Sequence, residues 1–151
     1  MATDADPRSR AWSHFLGAQA LAVRKIEEML KAAGQPPFGW YDLLLELERA
    51  GGRLRIGELA ERLVVEPYNM TRLLDRLEGA GLLRRERAPG DRRGAFAVIT
   101  AEGTALRRRA WPHYQRAILD ALAPLSEADA EALVRIMKKV IAHLKDDSDS
   151  G

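Results

Sequence analysis

The stretch IGELAERLVVEPYNMTRLLDRLEGAGLLRRERAPGDRRGAFAVIT, residues 56–100, decides the fold. Residues 56–63 place Ile56, Leu59, Ala60 and Leu63 on one helical face. After a short break, residues 67–80 form a second helix with Met70, Leu73, Leu74 and Leu77 as its buried stripe. Tyr68, Asn69, Thr71, Arg72, Asp75 and Arg76 are left on its outer side. Pro67 suits the first turn, where its missing N–H costs nothing, and Gly79 and Gly81 end the helix. Residues 82–88 and 95–100 are strand-like, joined by the turn-forming loop PGDRRG at 89–94. Helix, turn, helix and a basic β-hairpin make a winged helix-turn-helix. That shape puts one helix into the DNA major groove and an arginine-bearing loop into the neighbouring minor groove.

Working outward, residues 9–32 carry Trp12, Phe15, Leu16, Gln19, Val23, Ile26 and Leu30 at helical spacing, and Gly34, Pro36 and Pro37 end that helix. A helix over 38–50 turns Trp40, Leu43, Leu44 and Leu47 inward and stops at Gly51-Gly52. Arg53-Leu54-Arg55 is a short extended link with the character of an edge strand. Downstream, Thr100 caps a helix over 101–122, and Pro112 inside it is expected to kink it. Ser126 with Asp129 resembles a capping box and starts a last helix to about residue 144, with Leu133, Ile136, Met137, Val140, Ile141 and Leu144 apolar. The acidic end DDSDSG is expected to fray.

The first and last two helices are apolar on more than one side, and one chain of this size can hardly cover all three. The alternative is a monomer that folds its ends onto its own wing. A two-fold homodimer interleaving these helices is more economical, and paired recognition helices match a pseudo-palindromic operator in double-stranded DNA. The fold class is thus mainly α with a small β-wing. A winged helix-turn-helix at 36–100 is flanked by N- and C-terminal dimerisation helices at 1–35 and 101–151, in one interwoven domain.

Composition bounds the function. The 151 residues are 46% hydrophobic and 30% charged, which suits a soluble globular protein. No apolar run reaches bilayer length, and the polar start MATDADPRSR lacks a signal-peptide core, so the expected compartment is the cytoplasm. There is no cysteine, which excludes a disulfide framework and a thiol redox sensor. The net charge of +2 says little, but residues 82–109 hold eight arginines against three acids. No Gly-rich phosphate loop, nucleophile elbow or metal-ligand spacing supports an enzyme, and no cofactor motif is present.

Two motifs, LAERL…MTRLLDRLEGAGLLRR at 59–85 and DRRGAFAVITAEG at 91–103, resemble the MarR-type (multiple antibiotic resistance regulator) transcriptional regulators. The resemblance runs from about Trp12 to Leu144. Two features depart from it: Glu66-Pro67 stands where many members have a small capping residue, and the wing loop is compact. The resemblance implies a DNA-binding regulator, typically a repressor released by a small aromatic or phenolic ligand. Tyr68, Asn69, Thr71 and Arg72 then lie where base edges or phosphates are in reach: Asn69 suits adenine, Arg72 guanine, and Thr71 and Tyr68 phosphates. Arg76, one turn on, suits the backbone. Arg72 has a rival role as an intramolecular partner of Asp75 or Glu78. In the wing, the resemblance implies that Arg92 or Arg93 enters the minor groove while Asp91 holds the loop.

The ligand cleft implied by the resemblance lies between dimer helices and wing, where Trp12, His14, Trp40, Tyr41 and Trp111 can line it. Trp12 and Trp40 also sit on apolar stripes and fit a core equally, and His14 can simply make a local polar contact. Two other readings stay open. One is a metal-responsive regulator of the same fold, using His14, His113 or His143 with carboxylates. The other is a winged helix serving protein contacts alone, against which the arginines of helix and wing argue.

Overall fold

The computed structural model describes residues 6–63, 67–87, 89–90 and 94–149, with Pro67 and Tyr68 described by backbone only. Among them the elements run α1 (Pro7–Ala32), α2 (Phe38–Arg49), β1 (Arg53–Arg55), α3 (Ile56–Leu63), α4 (Pro67–Gly79), β2 (Leu83–Arg87), β3 (Ala95–Ile99), α5 (Ala101–Ala121) and α6 (Glu127–Asp149). The strands form one antiparallel sheet in the order β1-β3-β2.

Local chemistry sets the boundaries. Asp6 caps α1 by accepting the Arg8 N–H at 2.8 Å, which starts the helix two residues before the periodicity implies. Leu82 belongs to a turn and not to β2, because its N–H donates to Leu77 O at 3.0 Å and closes the end of α4. That turn needs Gly81 at φ 76°, a conformation that costs a side-chain-bearing residue. Thr100 leaves the sheet to cap α5. Ser126 and Asp129 close the expected capping box, each accepting the other's N–H at 3.1 Å. The helix α5 is continuous through Pro112. The last helix overturns the expected fray: α6 reaches Asp149, with Ser148 Oγ donating to Leu144 O at 2.9 Å and His143 beside Asp147 at 3.4 Å one turn on.

One core cluster joins Leu43, Leu44 and Leu47 of α2 with Leu54, Leu59, Leu82, Leu83, Ala97 and, on α4, Met70, Leu74 and Leu77. Leu73, placed in the buried stripe by periodicity, lies at its edge and is only partly buried. The outer helices are different. No residue of α6 is buried and α1 buries only Leu30. Leu16, Leu21, Val134 and Ile141 are between 49% and 63% exposed. So much apolar surface is far beyond scattered surface residues and asks for a covering partner. No helix among the described residues is long and apolar enough to cross a membrane.

Candidate nucleic-acid interface

The helix α4 is held by one side and presented by the other. Met70, Leu74 and Leu77 are at most 2% exposed and fix α4 on the core. At 3.6 residues per turn, Arg72 points close to diametrically opposite that stripe, with Asn69 and Arg76 on one flank and Thr71 on the other. All four are exposed, as expected. The side chain of Tyr68, and Glu66, Asp91, Arg92 and Arg93, lie outside the described residues.

Sequence reasoning missed the clamp that sets the angle between helix and wing. Arg85 of β2 reaches back across α4: its backbone N–H donates to Glu78 Oε2 at 2.6 Å and its Nη2 to Glu78 Oε1 at 3.1 Å. The same Nη2 lies 2.7 Å from Asp75 Oδ1. Both carboxylates considered for Arg72 therefore engage Arg85. The Arg85 hydrogen bonds hold the Glu78 carboxyl below its usual range. Only the doublet Arg84-Arg85 hinted at this in the sequence, because a contact seven residues apart across a turn follows no periodicity.

The hinge between wing and α5 is equally close. Thr100 Oγ1 accepts the Gly103 N–H at 3.1 Å and donates to Gly81 O at 2.7 Å, while the Thr100 N–H donates to Leu82 O at 3.1 Å. A Cβ on Gly103 would overlap the Leu82 carbonyl oxygen and sit 2.9 Å from Ile99 Cγ1. The Thr-x-x-Gly pattern is thus a contact between helix and strand.

The expected ligand set divides. Tyr41 is 6% exposed and stacks on Trp111 at 5.7 Å between ring centroids. Tyr114 meets Tyr41 edge-on at 4.9 Å and lies parallel to Phe38 at 6.1 Å. Neither Phe38 nor Tyr114 was singled out from sequence. Burial pushes the Tyr114 phenol up to about 12, helped by the Asp42 carboxylate, and burial raises Asp42 while its hydrogen bond with Tyr114 opposes the rise. Beneath them Arg107 pairs with Glu48. Trp40 packs against the main core, as the alternative reading had it. Trp12 is 61% exposed and touches Phe15. His14 bonds locally through Nδ1 to Arg10 O at 2.7 Å. It is Glu27 that meets α2, accepting the Phe38 N–H at 3.3 Å. Trp12 and His14 lie about 20 Å further up α1 at 1.5 Å per residue. Within one chain they do not join the Tyr41–Trp111 group.

The MarR family model matches residues 35–94. The chain is 35% identical over 106 residues to the HTH-type transcriptional regulator PecS of Dickeya dadantii, a match spanning 69% of this chain and 64% of that protein. It thus spans about two thirds of the length of that relative. Sco3205, a MarR family transcriptional regulator from Streptomyces coelicolor solved in complex with DNA, superposes with a TM-score of 0.79 at 31% identity, over 89% of this chain and 85% of that one. AbsC, a MarR family regulator from the same organism, gives 0.78 at 29% identity over 93% and 95%. With the recognition helix, the clamped wing and the long outer helices in one arrangement, the chain belongs to the MarR family.

Proposed function

We propose that the protein is a homodimeric, sequence-specific DNA-binding transcriptional regulator, a repressor released from a pseudo-palindromic operator by a small aromatic or phenolic ligand. The observation that carries this reading is the outer face of α4: Asn69, Arg72 and Arg76 stand exposed opposite a fully buried stripe, beside an arginine-rich hairpin. Asn69 and Arg72 read base edges, Thr71 and Tyr68 hold phosphates, and Arg76 meets the backbone. One of Arg92 and Arg93 enters the minor groove and Asp91 holds the loop. The likeness to Sco3205, solved with DNA, supports the reading.

The exposed apolar faces of α1, α5 and α6 support the dimer, which sets two recognition helices about one DNA turn (~34 Å) apart. The ligand site favoured by the geometry is the aromatic group of Tyr41, Trp111, Tyr114 and Phe38, where stacking and the Tyr114 hydroxyl suit a phenol. Trp12 and His14 join it only from a second copy. The test is a gel shift on DNA upstream of the protein's own gene, repeated with a panel of aromatic acids. A discrete shift abolished by one of them is expected. Binding that is indifferent to sequence, or to every acid, overturns the corresponding half of the reading.

A further inference from the structure

The outward face of the wing sheet gathers charged side chains from β1 and β2 around Phe96 of β3. In β1, Arg53 and Arg55 are exposed on either side of buried Leu54. The register aligns Arg53, Val98 and Arg84 in one row and Arg55, Phe96 and Glu86 in the next. Among the described residues, three guanidinium groups therefore share this face with one carboxylate. Arg53 lies over the Phe96 ring at 3.7 Å and Arg55 at 4.9 Å from its centroid. Glu86 divides itself between Arg84 at 2.9 Å and Arg53 at 3.9 Å. The side chains of Arg53 and Arg84 remain 48% and 59% exposed. An aromatic platform that steadies the Arg53 guanidinium, with about half of that side chain still exposed, suits phosphate oxygens.

Position says which phosphates. The opposite face of the sheet, with Leu54, Leu83 and Ala97, is buried in the core. On that side Arg85 ties β2 to α4. Since α4 is tied to the inner side of β2, the outer face lies beyond the hairpin as seen from α4, where a duplex seated on α4 and continued past the wing would meet it. We propose that Arg53 and Arg84 hold backbone phosphates of DNA flanking the operator, lengthening the footprint without adding sequence information. This rests on the DNA-binding reading above. The excess of guanidinium over carboxylate favours a polyanion, and continuity with α4 favours DNA over an acidic protein segment.

The test uses a duplex site selected by the full-length protein from a random-sequence library. It is trimmed to the protected core, or extended by about one helical turn (~10 bp) of arbitrary sequence on each side. The wild-type protein should bind the extended duplex more tightly. Arg53→Gln with Arg84→Gln should erase that gain and leave core binding, which also reports correct folding, unchanged. With two phosphates per protomer, the gain should fall on the order of 100-fold between 50 and 200 mM salt. Glu86→Gln, which removes the competing carboxylate, should enlarge the gain. Core binding without dependence on length, or a length gain untouched by the double variant, overturns the flanking-DNA proposal alone. Failure to enrich any site overturns the DNA-binding reading with it.

Discussion

Replacing Gly103 by Ala isolates the contact that joins the wing to the outer helices. In an open helix the change gains up to about 1 kcal/mol, because alanine is the better helix former. Here the new methyl would overlap Leu82 O and crowd Ile99 Cγ1 at 2.9 Å and Leu82 C at 3.1 Å. The isoleucine can rotate; the Leu82 backbone cannot, since its N–H and C=O are engaged by Leu77 O and the Thr100 N–H. The first turn of α5 must retreat, stretching the Thr100 bonds to Gly103 and Gly81. Overpacking costs roughly 1–3 kcal/mol and more where nothing can yield. A net loss of about 3 kcal/mol is expected, which for a chain of this length lowers Tm by about 6–12 °C. Gly57→Ala is the matched control: nothing lies within 4 Å of its Cβ, and a gain of about 0.5–1 kcal/mol is expected. Urea and thermal unfolding followed by circular dichroism measure both. A Gly103→Ala protein melting at or above the wild type would refute the account of this joint.

Other outcomes follow from the same structure. Arg72→Ala should weaken binding to the selected operator by about 1–3 kcal/mol while non-specific binding changes little; equal losses on both, measured by fluorescence anisotropy, would remove Arg72 from base readout. Glu78→Gln keeps an acceptor for the Arg85 N–H but loses the charge pair, so at neutral pH it should be less stable than wild type by about 0.5 kcal/mol, allowing for solvent screening. Because folding depresses the Glu78 carboxyl below its ordinary 4.5, the wild-type advantage is fully present above that value. It should vanish as pH falls through the folded-state value; a gap that persists in acid would mean the charge is not its source. Val134→Glu with Ile141→Glu charges the exposed face of α6. Sedimentation equilibrium is expected to report a dimer for the wild type and a monomer for the double variant; a monomeric wild type would overturn the proposed dimer, and an unchanged dimer mass in the variant would move its interface elsewhere.

Much of the winged module was legible because its signals are local. The bounds of α3 match the expected 56–63, and Thr100 and Ser126 cap as their neighbours imply. Strand ends were less legible: Leu82 and Thr100 look like strand residues but serve a helix closure and a helix cap. The acidic tail was misread because composition suggested fraying, whereas bonds one turn apart carry α6 to Asp149.

The candidate site was half legible. The outward positions of Asn69, Thr71, Arg72 and Arg76 follow from a period of 3.6 residues against an apolar stripe, so sequence alone determined them. It also determined, through surplus apolar positions on the terminal helices, that one chain leaves much surface uncovered. Tertiary structure alone decided that Arg85 clamps Asp75 and Glu78, that Gly103 lies against Leu82, and that Tyr41 meets Trp111 and Tyr114 while Trp12 and His14 stand apart. The physical reason is that helical and strand periods fix which way a side chain points from its own axis. What it meets depends on how separate axes are set against one another, and that is settled by packing the whole core.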